Sequence, residues 1–219
     1  MSAGRVVLWR HARTGHNASG RLQGQIDIGL DEVGLWQART SAEALAATFR
    51  PTAVVSSDLT RARTTAGLLA ERTGHSVTTD PRLRERSFGQ WEGLTGEEIA
   101  AAWPDEYDAW RRGADLVGVG AESRSDVAGR TAASIREHAA AYGPSDTLVV
   151  VSHGAAITLA VTALLDLSVE GWRGLVGLDN AHWATLRPSI PDAEPSWRLT
   201  GYNLGPRDTV EDWNAGPTH

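Results

Sequence analysis

The stretch TLVVVSHGAAITLAVTALL, residues 147–165, sets the strongest limit on what this chain can become. Its first half is β-branched, its second half is rich in alanine and leucine, and Ser152, His153 and Gly154 divide the two. A membrane span would carry that histidine at the bilayer midplane, where ionisable groups are costly. A buried strand, a tight loop and a buried helix accommodate the same residues without that cost. The core is therefore expected to contain a strand–loop–helix unit with a histidine at the strand's carboxyl end.

The alternation recurs along the chain. Short β-branched runs at 5–9, 53–56, 76–79, 182–187 and 197–202 join 147–151 as candidate strands. Leu35, Ala38, Ala42, Leu45 and Phe49 repeat at helical spacing. A second helix is expected over 60–73, stopped by Gly74. Thr95 with Glu98 reads as a capping box that opens a short helix. Longer helices follow at about 125–142 and 155–165. Strands alternating with helices predict the α/β class, a three-layer αβα sandwich around a mostly parallel central sheet. GVGAES, 118–123, is a turn and not a dinucleotide loop, and 113–125 is too short and mixed for a linker, so one domain is expected. The tail after Leu204 is expected to be weakly ordered or draped over the surface.

Composition narrows the class. A hydrophobic share of 41% with 22% charged residues suits a soluble globular protein. The net charge of −6 argues against nucleic-acid and anionic-membrane partners. With no cysteine, disulfides, thiolate chemistry and zinc–cysteine sites are excluded. The first residues lead straight into a strand with no signal-like apolar region, so a cytoplasmic location is expected. All 21 basic residues are arginine. A GC-rich coding sequence produces that bias by itself, so only arginine placement is informative.

In parallel sheets ligands gather at the carboxyl ends of strands. Three such ends carry Arg10-His11, then Ser56-Ser57-Asp58 followed by Arg61, and Ser152-His153-Gly154. Two guanidinium forks and two imidazoles suit a doubly charged tetrahedral anion. The helix starting near Ala155 adds backbone N–H groups, and Thr14, Asn17 and Gln23 add neutral donors. Neighbouring arginines disfavour imidazolium, which leaves His11 neutral and nucleophilic. Attack on phosphorus gives a phosphohistidine, and the leaving alkoxide needs a proton. Glu85, with Phe88, Trp91 and Leu94 as an apolar wall to raise its pKa, is the expected donor and then the base for the attacking water.

The pieces RHARTGHN, RLQGQIDIGLDEVGLWQA, VVSSDLTRARTTA, LRERSFGQWEG and VVVSHGA are spread in that order over 10–155. Five motifs in register are specific, and with them the chain resembles the histidine phosphatase superfamily, the phosphoglycerate-mutase-like proteins. The resemblance implies one domain over 1–205 with a cap insertion at about 86–122, followed by a tail at 206–219. It makes His11 the phosphorylated nucleophile, Arg10, Arg61 and His153 phosphate ligands, and Glu85 the proton donor. Thr14, Asn17 and Gln23, with Gly24, Gly154 and Ala155, fall in the phosphate-binding set. It implies no metal, no cofactor and, by analogy, a homodimer. LSVEGWRGLVGLDNAHWATL and SWRLTGYN look like a narrower subgroup, the actinobacterial glucosyl-3-phosphoglycerate phosphatases, whose relatives include broad-specificity phosphatases.

The expected activity is metal-independent hydrolysis of small phosphomonoesters, glucosyl-3-phosphoglycerate or related metabolites among them, through a phosphohistidine on His11. A cofactor-dependent phosphoglycerate mutase is one alternative, although 85–153 is short for the insertion such mutases carry. A non-catalytic phosphate-binding protein is the other, motivated by Ala12, where the family has glycine, and by Arg13. Ala12 is expected at negative φ with its methyl crowding the pocket floor, and Arg13 at the mouth of the site. Arg111 and Arg112 compete between gripping a substrate carboxylate or second phosphate and forming a solvated helix end. His16, His75, His138, His182 and His219 are read as surface or structural, and no metal-ligand spacing is present.

Overall fold

Strands whose residues are apolar on both faces need helices above and below them. The computed structural model describes residues 2–206 and 210–217. The elements are β1 (Arg5–Arg10), α1 (Gly15–Ala18), α2 (Glu32–Phe49), β2 (Ala53–Ser56), α3 (Thr60–Thr73), β3 (Val77–Thr79), α4 (Gly96–Ala102) and α5 (Pro104–Arg111). They continue with α6 (Arg124–Ala140), β4 (Thr147–Ser152), α7 (Gly154–Leu164), β5 (Trp183–Pro188), β6 (Trp197–Leu204) and α8 (Val210–Ala215). The sheet order is β3-β2-β4-β1-β5-β6. Its first four strands pair in parallel, and β5 runs antiparallel to both of its neighbours.

Period-two alternation sends the strands' side chains to opposite layers. Val7, Trp9, Val54, Val149 and Val151 pack with Leu45, Ala66 and Leu69 of α2 and α3. Val6, Leu8, Leu148 and Val150 pack with Ile135 of α6 and with Ile157, Val161 and Leu164 of α7. Each such side chain, when fully buried, contributes about 1.5–3 kcal/mol. The 147–165 stretch is β4 followed by α7, with His153 at the helix N-cap. Gly74 closes α3 in the left-handed conformation, and Thr95 with Glu98 forms the capping box of α4. No helix among the described residues is long and apolar enough to cross a membrane.

Register then aligns the strand ends. Arg10 lies opposite Ser152, while Trp9 and Ser56 both lie opposite Val151. The segments that leave β1, β2 and β4 therefore emerge side by side. Beyond them, Phe88, Trp91, Ile99, Leu116 and Val119 form a small core of their own, packed by Trp103, Tyr107 and Trp110.

The tail differs from its expectation. Trp213 of α8 is fully buried and sits 5.0 Å from the Trp36 ring. Its Nε1 donates to the Asn180 carbonyl at 2.8 Å, and Gln37 Nε2 donates to the Trp213 carbonyl at 2.8 Å. A single tryptophan among polar residues carries no periodicity, so the anchor could not be read from the sequence. His219 lies outside the described residues. Trp213→Ala is expected to lower stability by about 3–5 kcal/mol in urea unfolding; a loss below ~1 kcal/mol would contradict this packing.

Candidate active site

The chain leaves β1 under tight backbone control. His11 N–H donates to the Ser152 carbonyl at 2.9 Å, and the His11 carbonyl accepts from Ala181 N–H and Asn180 Nδ2, each at 3.2 Å. The His11 ring is 2% exposed, and its Nδ1 lies 2.8 Å from the Ala12 carbonyl oxygen. A carbonyl only accepts, so Nδ1 carries the proton and Nε2 keeps its lone pair. Burial, reinforced by the Arg61 and Arg10 guanidinium groups, holds this imidazole well below its ordinary pKa. It is a neutral base with a free Nε2.

His153 is its neighbour, with ring centroids 5.1 Å apart. Arg61 Nε donates to His153 Nδ1 at 3.3 Å, which puts the His153 proton on Nε2, 2.9 Å from Ser57 Oγ. Burial, then Arg61, His11 and Arg10, depress its pKa as well. The rest of the Arg61 fork donates to the Ile26 and Gly24 carbonyls, both at 2.7 Å. Gly24 sits at φ +52, and a Cβ there would meet the Glu92 carboxylate at 2.1 Å. Glycine is the residue that fits. Arg10 donates through Nη1 to the Leu178 carbonyl, while its buried Nε has no partner.

Glu85 stands where α7 begins. Its Oε1 accepts from the N–H groups of Arg86 (2.8 Å) and Ala156 (3.0 Å), and Oε2 from Ala155 N–H (3.2 Å). These amides, and not the expected apolar wall, hold the carboxylate; Trp91 is buried in the small core instead. The helix N-terminus suits an anion for the usual electrostatic reason. Arg130 fixes the loop from behind, donating to the carbonyls of Arg82, Arg84 and Glu85 and pairing with Glu122 at 2.6 Å. Nothing in the sequence around Arg130 marks that role, because the carbonyls it holds lie 45 to 48 positions away.

A cleft of about 400 Å³ collects these groups. Arg10, His11, Asn17, Gln23, Gly24, Arg61, Glu85, Gly154 and Ala155 line it. A Cβ on Gly154 would lie 3.5 Å from Arg10 Nε and 3.8 Å from Glu85 Oε2, so the bare glycine leaves that corner open. Thr14 and His153 are not on the wall. Thr14 is fully buried, caps α1 and donates to Gln23 Oε1 at 2.9 Å. His153 lies behind His11, enclosed by Arg61 and Ser57.

One competition is decided and two expectations need correction. Arg111 and Arg112 are the solvated helix end and do not line the cleft; both are exposed, and Arg112 pairs with Asp108 at 2.7 Å. Trp110 faces inward in their place, because the small core holds its ring 5.7 Å from that of Trp91. Arg13 does not line the cleft; it is bonded to Asp31 at 2.9 Å and to the Asn214 carbonyl at 2.6 Å. Ala12 has a negative φ as expected, yet its methyl packs with Ala38, Ala181 and Trp213 and leaves the pocket floor clear. The left-handed residue nearby is Ala181 (φ 59), a conformation that costs about 1–2 kcal/mol. Its carbonyl accepts from Trp9 Nε1 and Ser41 Oγ, both at 2.9 Å, which holds it in place. His182 is structural: its carbonyl accepts Arg10 N–H at 2.9 Å. Arg21, Arg86, Arg124 and Arg173 line the cleft and were not anticipated. Among the described residues no group of three or more His, Asp or Glu side chains is gathered as metal ligands.

Comparison with known proteins assigns the fold. The family model for the histidine phosphatase superfamily (branch 1) matches residues 6–201. The chain belongs to that superfamily. It is 42% identical over 214 residues to a glucosyl-3-phosphoglycerate phosphatase of Mycobacterium tuberculosis, covering 93% of this chain and 96% of that one. A metal-independent phosphoserine phosphatase of Arabidopsis thaliana is 39% identical over 170 residues, 76% of this chain and 71% of the relative. A solved mycobacterial glucosyl-3-phosphoglycerate phosphatase, in complex with VO3, superposes with a TM-score of 0.84 at 40% identity, covering 92% of this chain and 99% of the other. The chain is a histidine-phosphatase-type phosphomonoesterase.

The depressed imidazoles make a stability prediction. An unfolded histidine takes up a proton near 6.5, whereas buried His11 and His153 do so only at lower pH. Their contribution is complete above that value and is lost as pH falls from it towards the folded pKa. The urea midpoint should therefore drop between about pH 7 and 5, and the His11→Asn variant should show a shallower slope. A slope unchanged by that substitution would contradict neutral burial of His11.

Proposed function

We propose that the enzyme hydrolyses small phosphomonoesters without a metal, through a phosphohistidine on His11. One observation supports this most: the unprotonated Nε2 of a buried neutral histidine shares a cleft with an unpartnered Arg10 Nε and the Glu85 carboxylate. In the first step the Nε2 lone pair attacks phosphorus, the ester P–O bond breaks, and a proton on Glu85 passes to the departing oxygen. In the second, water attacks phosphorus, returns a proton to Glu85, and the P–N bond breaks to release phosphate. Arg10, Arg61 and Gly154 are the proposed phosphate cradle, with Asn17, Gln23, Gly24 and Ala155 beside it. Thr14 supports it through Gln23. His153 is proposed to support the His11 ring from behind, held there by Arg61 and Ser57.

The domain is proposed to run over 1–205 with the cap at about 86–122, and the relatives' names make glucosyl-3-phosphoglycerate the first candidate substrate. A cytoplasmic homodimer is the assembly that family analogy supports. The grounds for a non-catalytic binder are removed, since both Ala12 and Arg13 are accommodated away from the cleft. His11→Ala is expected to cut p-nitrophenyl phosphate turnover at least ~1,000-fold and to abolish acid-labile, alkali-stable phosphorylation of the protein. Retained turnover would overturn the proposal. Phosphorus NMR with 3-phosphoglycerate should show phosphate release; interconversion with 2-phosphoglycerate and no release would make the enzyme a mutase.

A further inference from the structure

The cleft carries more positive charge than one phosphate requires. Arg21 and Arg86, on its wall, are neutralised by Glu98 and Asp115. Arg124 and Arg173 are also on the wall, and among the described residues neither has a carboxylate at ion-pair distance. They come from distant parts of the chain, yet Arg124 Nε and Arg173 Nη1 both donate to the Val169 carbonyl, each at 3.1 Å. Two guanidinium groups held on one carbonyl repel each other unless an anion lies between them. Arg173 is further tied to the Gly113 carbonyl, which anchors it across the end of α5. Burial, and then the charges of Arg173 and Arg86, lower the pKa of Arg124; Asp115, which accepts the Arg124 backbone N–H at 2.9 Å, offsets them only in part.

We propose that Arg124 and Arg173 form a second-anion subsite, which receives a carboxylate on the organic part of the ester while the phosphate sits at His11. A guanidinium edge matches the paired oxygens of a carboxylate, and Trp110 and Leu175 supply apolar wall beside it. The preferred substrates are then phosphorylated carboxylic acids, and simple alcohol phosphates are poor ones. This rests on the phosphatase reading above and narrows it. It also relocates the role first considered for Arg111 and Arg112 to two residues from other elements.

The test compares matched esters that differ by the carboxylate: 3-phosphoglycerate against glycerol 3-phosphate, and 4-carboxyphenyl phosphate against phenyl phosphate. The Arg124→Gln/Arg173→Gln double variant should lose roughly 10- to 100-fold in kcat/KM on at least one carboxylated ester, mainly through KM. Its turnover of the matched neutral ester should stay within about threefold, which also reports an intact fold. Arg124→Lys/Arg173→Lys should retain more of the preference than the glutamines. Equal losses on charged and neutral esters, or no loss on either carboxylated ester, would overturn the subsite. A binding arm keeps the two proposals separate. In the His11→Ala background, calorimetry with the same four esters should show a preference for the carboxylated members that the glutamine pair erases. If the wild-type enzyme hydrolyses none of them, the phosphatase reading falls, and this binding arm alone decides the subsite.

Discussion

Parallel pairing of β1 with β4 is the interaction on which the site depends. The ladder runs from Arg5 opposite Thr147 to Arg10 opposite Ser152, and its last bond is His11 N–H to the Ser152 carbonyl. One residue beyond the Arg10–Ser152 pair, on each strand, stands a histidine. A register slip of one residue would turn every side chain to the opposite face, and would separate His11 from His153. Burial of Val6, Leu8, Leu148 and Val150 on one face and Val7, Trp9, Val149 and Val151 on the other forbids the slip. Packing of the core thus sets the geometry of the cleft.

A second constraint is electrostatic. Arg10 and Arg61 crowd two imidazoles in a region nearly closed to solvent, and buried cations are costly unless their donors are satisfied. Arg61 is satisfied by carbonyls and by His153, an arrangement that leaves the imidazoles neutral. Arg10 is satisfied only in part. The Glu85 carboxylate offsets both, and it owes its position to the α7 amides and to Arg130. The phosphomonoester dianion proposed as substrate would bring the charge and the acceptors that such a set lacks. The strained Ala181 turn and the buried Trp213 of α8 support the His11 loop from below.

Much of this was legible because local patterns are sufficient for it. All six strands and the five helices read from spacing or caps are present, since each is specified by residues within it or next to it. Arg10, His11 and Arg61 could be expected to share one cleft because parallel sheets deliver residues at strand ends to one place. Short α1, α5 and α8 escaped notice: helices of four to eight residues show too little periodicity. The environment of Glu85 was misjudged because Phe88, Trp91 and Leu94 are its neighbours in sequence, whereas the amides that hold it belong to α7.

The sequence by itself determined the order of strands and helices, the residues that stand at the ends of β1, β2 and β4, and the family. Only the tertiary structure decided which way each arginine faces. Arg13 turns to Asp31, Arg111 and Arg112 turn to solvent, and Arg124 and Arg173 turn into the cleft. The reason is physical: strand and helix patterns depend on contacts a few residues apart, but a long charged side chain is oriented by partners far along the chain. Those partners, the Val169 carbonyl and the small aromatic core among them, exist only once the fold has closed.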